Sequence, residues 1–207
     1  MILKNFIVFE GIDGAGTSSQ LKLLSERKES NNFFITAEPT GFETGHFLRK
    51  MLKGDFPIDQ KTAAYLFAAD RNEHVFGKNG IISQTDSGKI VICDRYVFSS
   101  LAYQSVTCGW DLPYKLNENF PLPQILFFFQ IEPEISLKRI QERGFTEIYE
   151  KLDYLKRTEE EYLKVISFYE KNHPEMKIVR LDATQPIEKT AQIIWSYIQP
   201  LTVRTTA

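Results

Sequence analysis

The octapeptide Gly11-Ile12-Asp13-Gly14-Ala15-Gly16-Thr17-Ser18 sets three glycines at spacings that let successive backbone N–H groups converge on an anion. Where such a loop opens a helix, the helix N-terminus adds partial positive charge, and phosphate is a fitting guest. This is the spacing of a Walker A loop, so every residue from Gly11 to Ser19 is a candidate contact for nucleotide phosphates, and the Ser18 hydroxyl is a candidate ligand for Mg2+. One position departs from the pattern. Thr17 stands where a lysine normally reaches the β- and γ-phosphates, which removes a point charge and leaves a hydroxyl whose hydrogen bond is about half as strong as a charge-assisted one.

A second constellation is Ile92-Cys93-Asp94-Arg95-Tyr96-Val97-Phe98-Ser99-Ser100-Leu101-Ala102-Tyr103-Gln104. Asp94 and Arg95 follow a short apolar run and are expected at the carboxyl edge of a sheet, where α/β folds bind ligands. A carboxylate there can hold Mg2+ or its waters, and a guanidinium can grip phosphate through two parallel hydrogen bonds. A lone Asp–Arg dipeptide closing a strand is often only an exposed ion pair.

The elements that must hold these residues follow from the apolar pattern. Phe6 to Phe9 is a buried parallel strand ending near Glu10, and a helix starting at Thr17 and Ser18 and reaching about Lys28 carries Leu21 and Leu24 on one face. Similar runs at Phe33–Thr36, Ile90–Cys93, Ile125–Phe129 and Lys177–Leu181 alternate with helical segments, which implies an α/β fold with a five-stranded parallel sheet covered on both faces. Ile187, Ala191, Ile194 and Ile198 form the apolar stripe of a last helix that caps the fold. From Lys138 to Lys171 charges dominate and Gly144 breaks the run. This reads as two helices about an exposed hinge, poor in core residues and able to open and close.

Length and charge narrow the function. The 207 residues suffice for one domain spanning 1–207. A net charge of -2, from 25 basic and 27 acidic residues, gives no cationic field for a nucleic-acid polymer. No apolar run approaches a membrane span. Cys93, which fits core packing, and Cys108 read as reduced thiols of a cytoplasmic protein.

The Asp-Arg-Tyr followed by Ser-x-x-Ala-Tyr resembles the signature of the thymidylate kinase family, and three further segments agree in order. Phe9-Glu10-Gly11-Ile12-Asp13-Gly14-Ala15-Gly16 resembles its phosphate loop, Leu66-Phe67-Ala68-Ala69-Asp70-Arg71 its base-binding helix, and Leu181-Asp182-Ala183-Thr184-Gln185-Pro186-Ile187-Glu188 the late loop near adenine. The resemblance implies a P-loop NTPase fold with a mobile lid, and transfer of the γ-phosphoryl group of ATP to dTMP with Mg2+. It further implies that Phe67 stacks on thymine, Arg71 bonds its edge with Ser100 nearby, and Tyr103 lies against the deoxyribose. Asp13 would sit between the two phosphate sites and Arg95 would hold the acceptor phosphate. Asp182 and Ala183 would lie near adenine, and a homodimer would form through helices on one face of the sheet. Thr36-Ala37-Glu38-Pro39-Thr40-Gly41 resembles the family's Thr-Arg-Glu-Pro-Gly-Gly, which makes Glu38 a candidate substrate contact, although Ala37 replaces the arginine. Arg49, on the amphipathic run Phe47–Leu52, is a candidate acceptor-phosphate contact; a solvated charge is the alternative.

The lid is expected over about 138–157. Members with glycine at the position of Gly14 tend to carry a catalytic lid arginine, for which Arg143 is the first choice, with Lys138, Arg139, Lys151 and Arg157 as alternatives; Tyr149 is a candidate substrate contact. His46, His74 and His173 have no metal-ligand spacing and read as surface residues. Two competing readings are a deoxynucleoside kinase and a nucleotide-binding regulator with impaired catalysis. The Asp-Arg-Tyr-x-x-Ser context opposes the first. Retention of Ser18, Asp94, Arg95, Phe67 and Arg71 opposes the second.

Overall fold

The structure of the chain, a computed structural model, describes residues 1–142, 149 and 151–203. Five strands, β1 (Ile2–Glu10), β2 (Phe33–Ala37), β3 (Ile90–Asp94), β4 (Leu122–Gln130) and β5 (Lys177–Asp182), form one parallel sheet in the order β2-β3-β1-β4-β5. Phe6, Ile7, Val8 and Phe9 are each fully buried because β1 is central, hydrogen-bonded to β3 on one side and β4 on the other. Complete burial of side chains of this size is worth about 1.5–3 kcal/mol each, which explains why the run has no polar alternation. Among the described residues, no helix is long and apolar enough to cross a membrane.

The helices are α1 (Thr17–Ser25), α2 (Glu43–Leu52), α3 (Gln60–Phe76), α4 (Ile81–Asp86), α5 (Val97–Cys108), α6 (Asp111–Asn117), α7 (Pro133–Gln141), α8 (Leu152–Asn172) and α9 (Ile187–Thr202). The first strand is longer than the sequence run suggests. Helix α1 is shorter: it stops at Ser25, and Lys28–Asn32 is a separate 3-10 turn. The Asp59 carboxylate starts α3 by accepting the Lys61 and Thr62 N–H groups.

Two sequence expectations are corrected. Helix α8 is not poor in core residues: Leu155, Tyr162, Val165, Ile166 and Tyr169 are buried along one face packed on α5. Its apolar stripe is partly aromatic and contains the polar Thr158 and Glu159, so it is hidden among charges in the sequence. In α9 the buried stripe is Thr190, Ile194, Ile198 and Leu201, while Ile187 is exposed at the helix start.

Candidate active site

The loop after β1 and the turn after β3 lie side by side because β1 and β3 are hydrogen-bonded neighbours, and the Arg95 N–H donates to the Phe9 carbonyl at 2.9 Å. Gly16 precedes α1 with φ 96°, and Gly14 has φ 78°, both left-handed values that favour glycine. A Cβ on Gly14 would also meet the Ser136 carbonyl oxygen at 2.8 Å, so α7 is packed directly on the loop. The Ser136 hydroxyl donates to the Asp13 carbonyl, and Arg139 reaches the carbonyls of Gly14 (3.4 Å) and Ala183 (3.1 Å). Arg139 therefore ties the phosphate loop to the loop after β5.

A first hollow is lined by the loop from Ile12 to Ser19 together with Asp94, Arg95, Arg139 and Ala183. Gly11 lies behind this surface, close-packed on β4, with only 2.7 Å between a built Cβ and the Phe129 oxygen. Asp182 does not line the hollow. Its carboxylate turns back on its own loop, accepting from Thr184 and Gln185, and those bonds hold it at about 2.

The Ser18 hydroxyl donates to Asp94 Oδ2 at 3.1 Å, and Asp94 Oδ1 is buried with no hydrogen-bond partner among the described residues. Burial pushes the Asp94 carboxyl up, opposed by Arg95 and by the hydroxyls of Thr17 and Ser18. A buried carboxylate oxygen without a partner, beside a serine hydroxyl and a phosphate loop, is a donor set that fits a hard cation such as Mg2+.

A second hollow adjoins the first and shares Asp13, Asp94 and Arg95 with it. Asp13 is clamped from both sides: Arg95 Nη2 reaches its Oδ1 at 2.7 Å, and the Tyr103 hydroxyl donates to its Oδ2 at 2.7 Å. Arg95 also donates to the Gly11 carbonyl at 3.0 Å and has φ 68°, a strained value for a side-chain-bearing residue.

Glu38, Arg49, Phe67, Arg71, Ser100, Tyr103 and Tyr149 all line this second hollow, so the sequence-derived substrate contacts converge on one place. Arg71 is 1% exposed. Its Nε and Nη2 reach Glu38 Oε2 at 2.9 and 2.7 Å, Nη2 donates to Ser100 Oγ at 2.9 Å, and Nη1 donates to Asn117 Oδ1. The hydrogen bonds to Glu38, Ser100 and Asn117 use three of the five guanidinium N–H groups, leaving two for a ligand. Phe67, four residues earlier on α3, is half-buried at the same wall. Arg49 is exposed but lines the hollow, donating to the Pro39 carbonyl. Ala37 also lines it and brings no charge. Tyr149 donates to Gln60 at 3.0 Å and stacks on Tyr154 with centroids 4.9 Å apart at 14°. Arg143, Gly144 and Glu150 lie outside the described residues.

His74 is corrected. Rather than lying on the surface it is 2% exposed, with Nδ1 2.9 Å from Glu38 Oε1 and Nε2 2.8 Å from the Thr36 hydroxyl. It braces the carboxylate that grips Arg71. Sequence reasoning also missed Asn117 and assigned no role to Asp70, which accepts from the Thr40 N–H and from the hydroxyls of Thr40 and Thr44. Asp70 sits inside the Phe67–Arg71 segment, which was a usable signal; for Asn117 there was none. Gln104 lines the second hollow with a buried Oε1 that has no partner among the described residues.

Comparison with known proteins decides the family. The family described as thymidylate kinase matches residues 9–194. The chain belongs to the thymidylate kinase family. A relative in Treponema pallidum (strain Nichols) is 40% identical over 96% of each chain. A Malacoplasma penetrans (strain HF-2) protein named thymidylate kinase is 34% identical over 93% of this chain and 94% of its own. One of the same name in Leptospira borgpetersenii is 38% identical over 78% of this chain and 80% of its own. Membership of the thymidylate kinase family agrees with the parallel sheet, the phosphate loop and the paired hollows.

Proposed function

We propose that this chain transfers the γ-phosphoryl group of ATP to dTMP, giving dTDP and ADP, within a single kinase domain over 1–207. The observation that carries the reading is the shared wall. Two hollows of different lining meet at Asp13, Asp94 and Arg95, as in-line transfer between a donor and an acceptor phosphate requires. In this reading the loop hollow takes ATP and the second takes dTMP, with Phe67 against the base, Arg71 and Ser100 at its edge, and Tyr103 where a ring can exclude a 2′-hydroxyl. Arg95, with Arg49 as a second cation, holds the acceptor phosphate. No protein nucleophile is required, because an acceptor phosphate oxygen attacks directly. Mg2+, held by Ser18 and Asp94, would neutralise charge on the phosphates of ATP. Arg143 is the lid cation that supplies the charge Thr17 lacks. A homodimer is supported by exposed aromatic side chains on α2 and α3, namely Phe47, Tyr65 and Phe76. Cytoplasmic residence is supported by the free thiols of Cys93 and Cys108.

Coupled ADP release with dTMP, dUMP and thymidine tests the reading. dTMP should be the best acceptor and thymidine very poor. Equal turnover of thymidine and dTMP, or none with any acceptor, would refute it.

A further inference from the structure

Glu10 closes β1 with no solvent exposure, and the roles assigned above leave it unused. Its Oε1 accepts the N–H groups of Tyr96 at 2.7 Å and Ser99 at 3.2 Å. Its Oε2 lies 2.6 Å from Ser99 Oγ and 2.8 Å from Tyr162 Oη, and those two hydroxyl oxygens are 2.7 Å apart. Three oxygens thus form a closed ring of three contacts, each needing a proton of its own. The two hydroxyls supply two. A carboxylate supplies none and would leave one pair of oxygens facing each other without hydrogen, whereas a carboxylic acid supplies the third. Arg95 Nη1 lies outside this ring, 3.2 Å from Ser99 Oγ and 3.4 Å from Tyr162 Oη, and can donate to either but cannot fill the gap.

The charge balance points the same way. Arg95 already faces the carboxylates of Asp13 and Asp94, so an ionised Glu10 would be a third anion around one guanidinium. The other titratable groups facing Glu10 are Cys93 from β3 and Tyr162 from α8; Tyr96, just ahead of α5, meets it through its backbone N–H, and β4 sets the uncharged Phe128 in register with it. Resting on the reading of Arg95 as the acceptor-phosphate contact, we propose that Glu10 is a neutral carboxylic acid when substrate binds. It acts as a positioning residue whose proton closes the Ser99–Tyr162 ring beside Arg95 and leaves the guanidinium charge to the phosphate. In support, burial pushes the Glu10 carboxyl up to about 7, against hydrogen bonds from Ser99 and the charge of Arg95. An arriving phosphate anion disfavours a second anion at Glu10, so binding of dTMP should hold this proton to higher pH.

Infrared difference spectra between wild type and Glu10→Gln, recorded free and with dTMP through a pH titration, read the protonation state directly. The free wild-type protein should show a protonated-carboxyl band, absent from Glu10→Gln, that titrates away with a midpoint near about 7 and moves to higher pH with dTMP. Calorimetry in buffers of differing ionisation enthalpy should show proton uptake on dTMP binding that is lost in Glu10→Gln. The variant cancels the ionisation of dTMP itself. Glutamine keeps the Oε1 acceptor and donates to both hydroxyls, so its kcat/KM should stay within about threefold of wild type on the acid side of the titration. Absence of the band on that side, proton uptake unchanged in the variant, or failure of Glu10→Gln to fold would overturn the proposal. The band needs no turnover, so its presence in an inactive protein would sink the kinase reading and leave the protonated Glu10 standing.

Discussion

Arg95→Ala removes the guanidinium that reaches Asp13 at 2.7 Å and the Gly11 carbonyl at 3.0 Å. Two losses add. The acceptor phosphate loses its charged partner, and the Asp13 carboxylate is left with Tyr103 alone, facing an incoming anion. Removing one partner of a hydrogen-bonded charge pair costs about 3–5 kcal/mol, or roughly 150- to 5,000-fold in kcat/KM. The backbone provides an internal control, because residue 95 has φ 68° whatever its side chain. Arg95→Gly should lose as much activity as Arg95→Ala yet be more stable by up to about 1 kcal/mol, since glycine tolerates the left-handed region. The assay is coupled ADP release over a dTMP titration, with thermal melts of both variants. A loss in kcat/KM below tenfold would move the phosphate contact elsewhere, and equal loss of folding and activity would reduce Arg95 to a structural tie.

Three further outcomes are expected. Phe67→Ala should raise the dTMP KM by the loss of stacking worth roughly 1–3 kcal/mol while leaving the ATP KM unchanged, and equal weakening of both with a lowered Tm would make Phe67 a packing residue. Arg143→Ala should remove most of the kcat in Mg2+ and ATP; an inactive wild type restored by Thr17→Lys would show instead that the missing lysine disables the chain. Glu159 is buried on α8 with Oε2 unpartnered among the described residues, and burial, opposed by Arg180, pushes it up to about 7. Because the folded pKa is raised, its penalty is absent below about 4.5 and grows until the pH passes about 7. Glu159→Gln should therefore be more stable than wild type above that point, by at most roughly 3 kcal/mol, and equal to it in acid; equal Tm at alkaline pH would contradict the shift.

Much of the site was legible because its signals are local. Central parallel strands are buried on both faces, so β1, β3 and β4 appear as unbroken apolar runs, and the residues that follow them must emerge at one edge. The contacts that were not legible depend on residues far apart in the chain. Nothing near His74 announces that it braces Glu38, because a buried histidine and a surface one have the same neighbours in sequence. Asn117 meets Arg71 only through the packing of α6 on α3. Helix α8 was misread because tyrosines, a threonine and a glutamate occupy its inner face, so apolar counting underestimates what it buries.

The order of strands in the sheet differs from their order in the chain, and this matters on the ribosome. β1 is made first, yet its two hydrogen-bonding neighbours are Ile90–Asp94 and Leu122–Gln130. At a synthesis rate of about 5–20 residues per second, Phe6 to Phe9 stay without their lateral partners for several seconds to some tens of seconds. During that interval the nascent chain carries an apolar strand with both edges open, the kind of segment that seeds aggregation. The phosphate loop behind it cannot take its final shape either, since Gly11 is close-packed on the backbone of β4 at Phe129. Nucleotide affinity should thus arise late in synthesis and all at once, and arrested chains ending before about residue 130 should be clients for chaperones rather than partial enzymes.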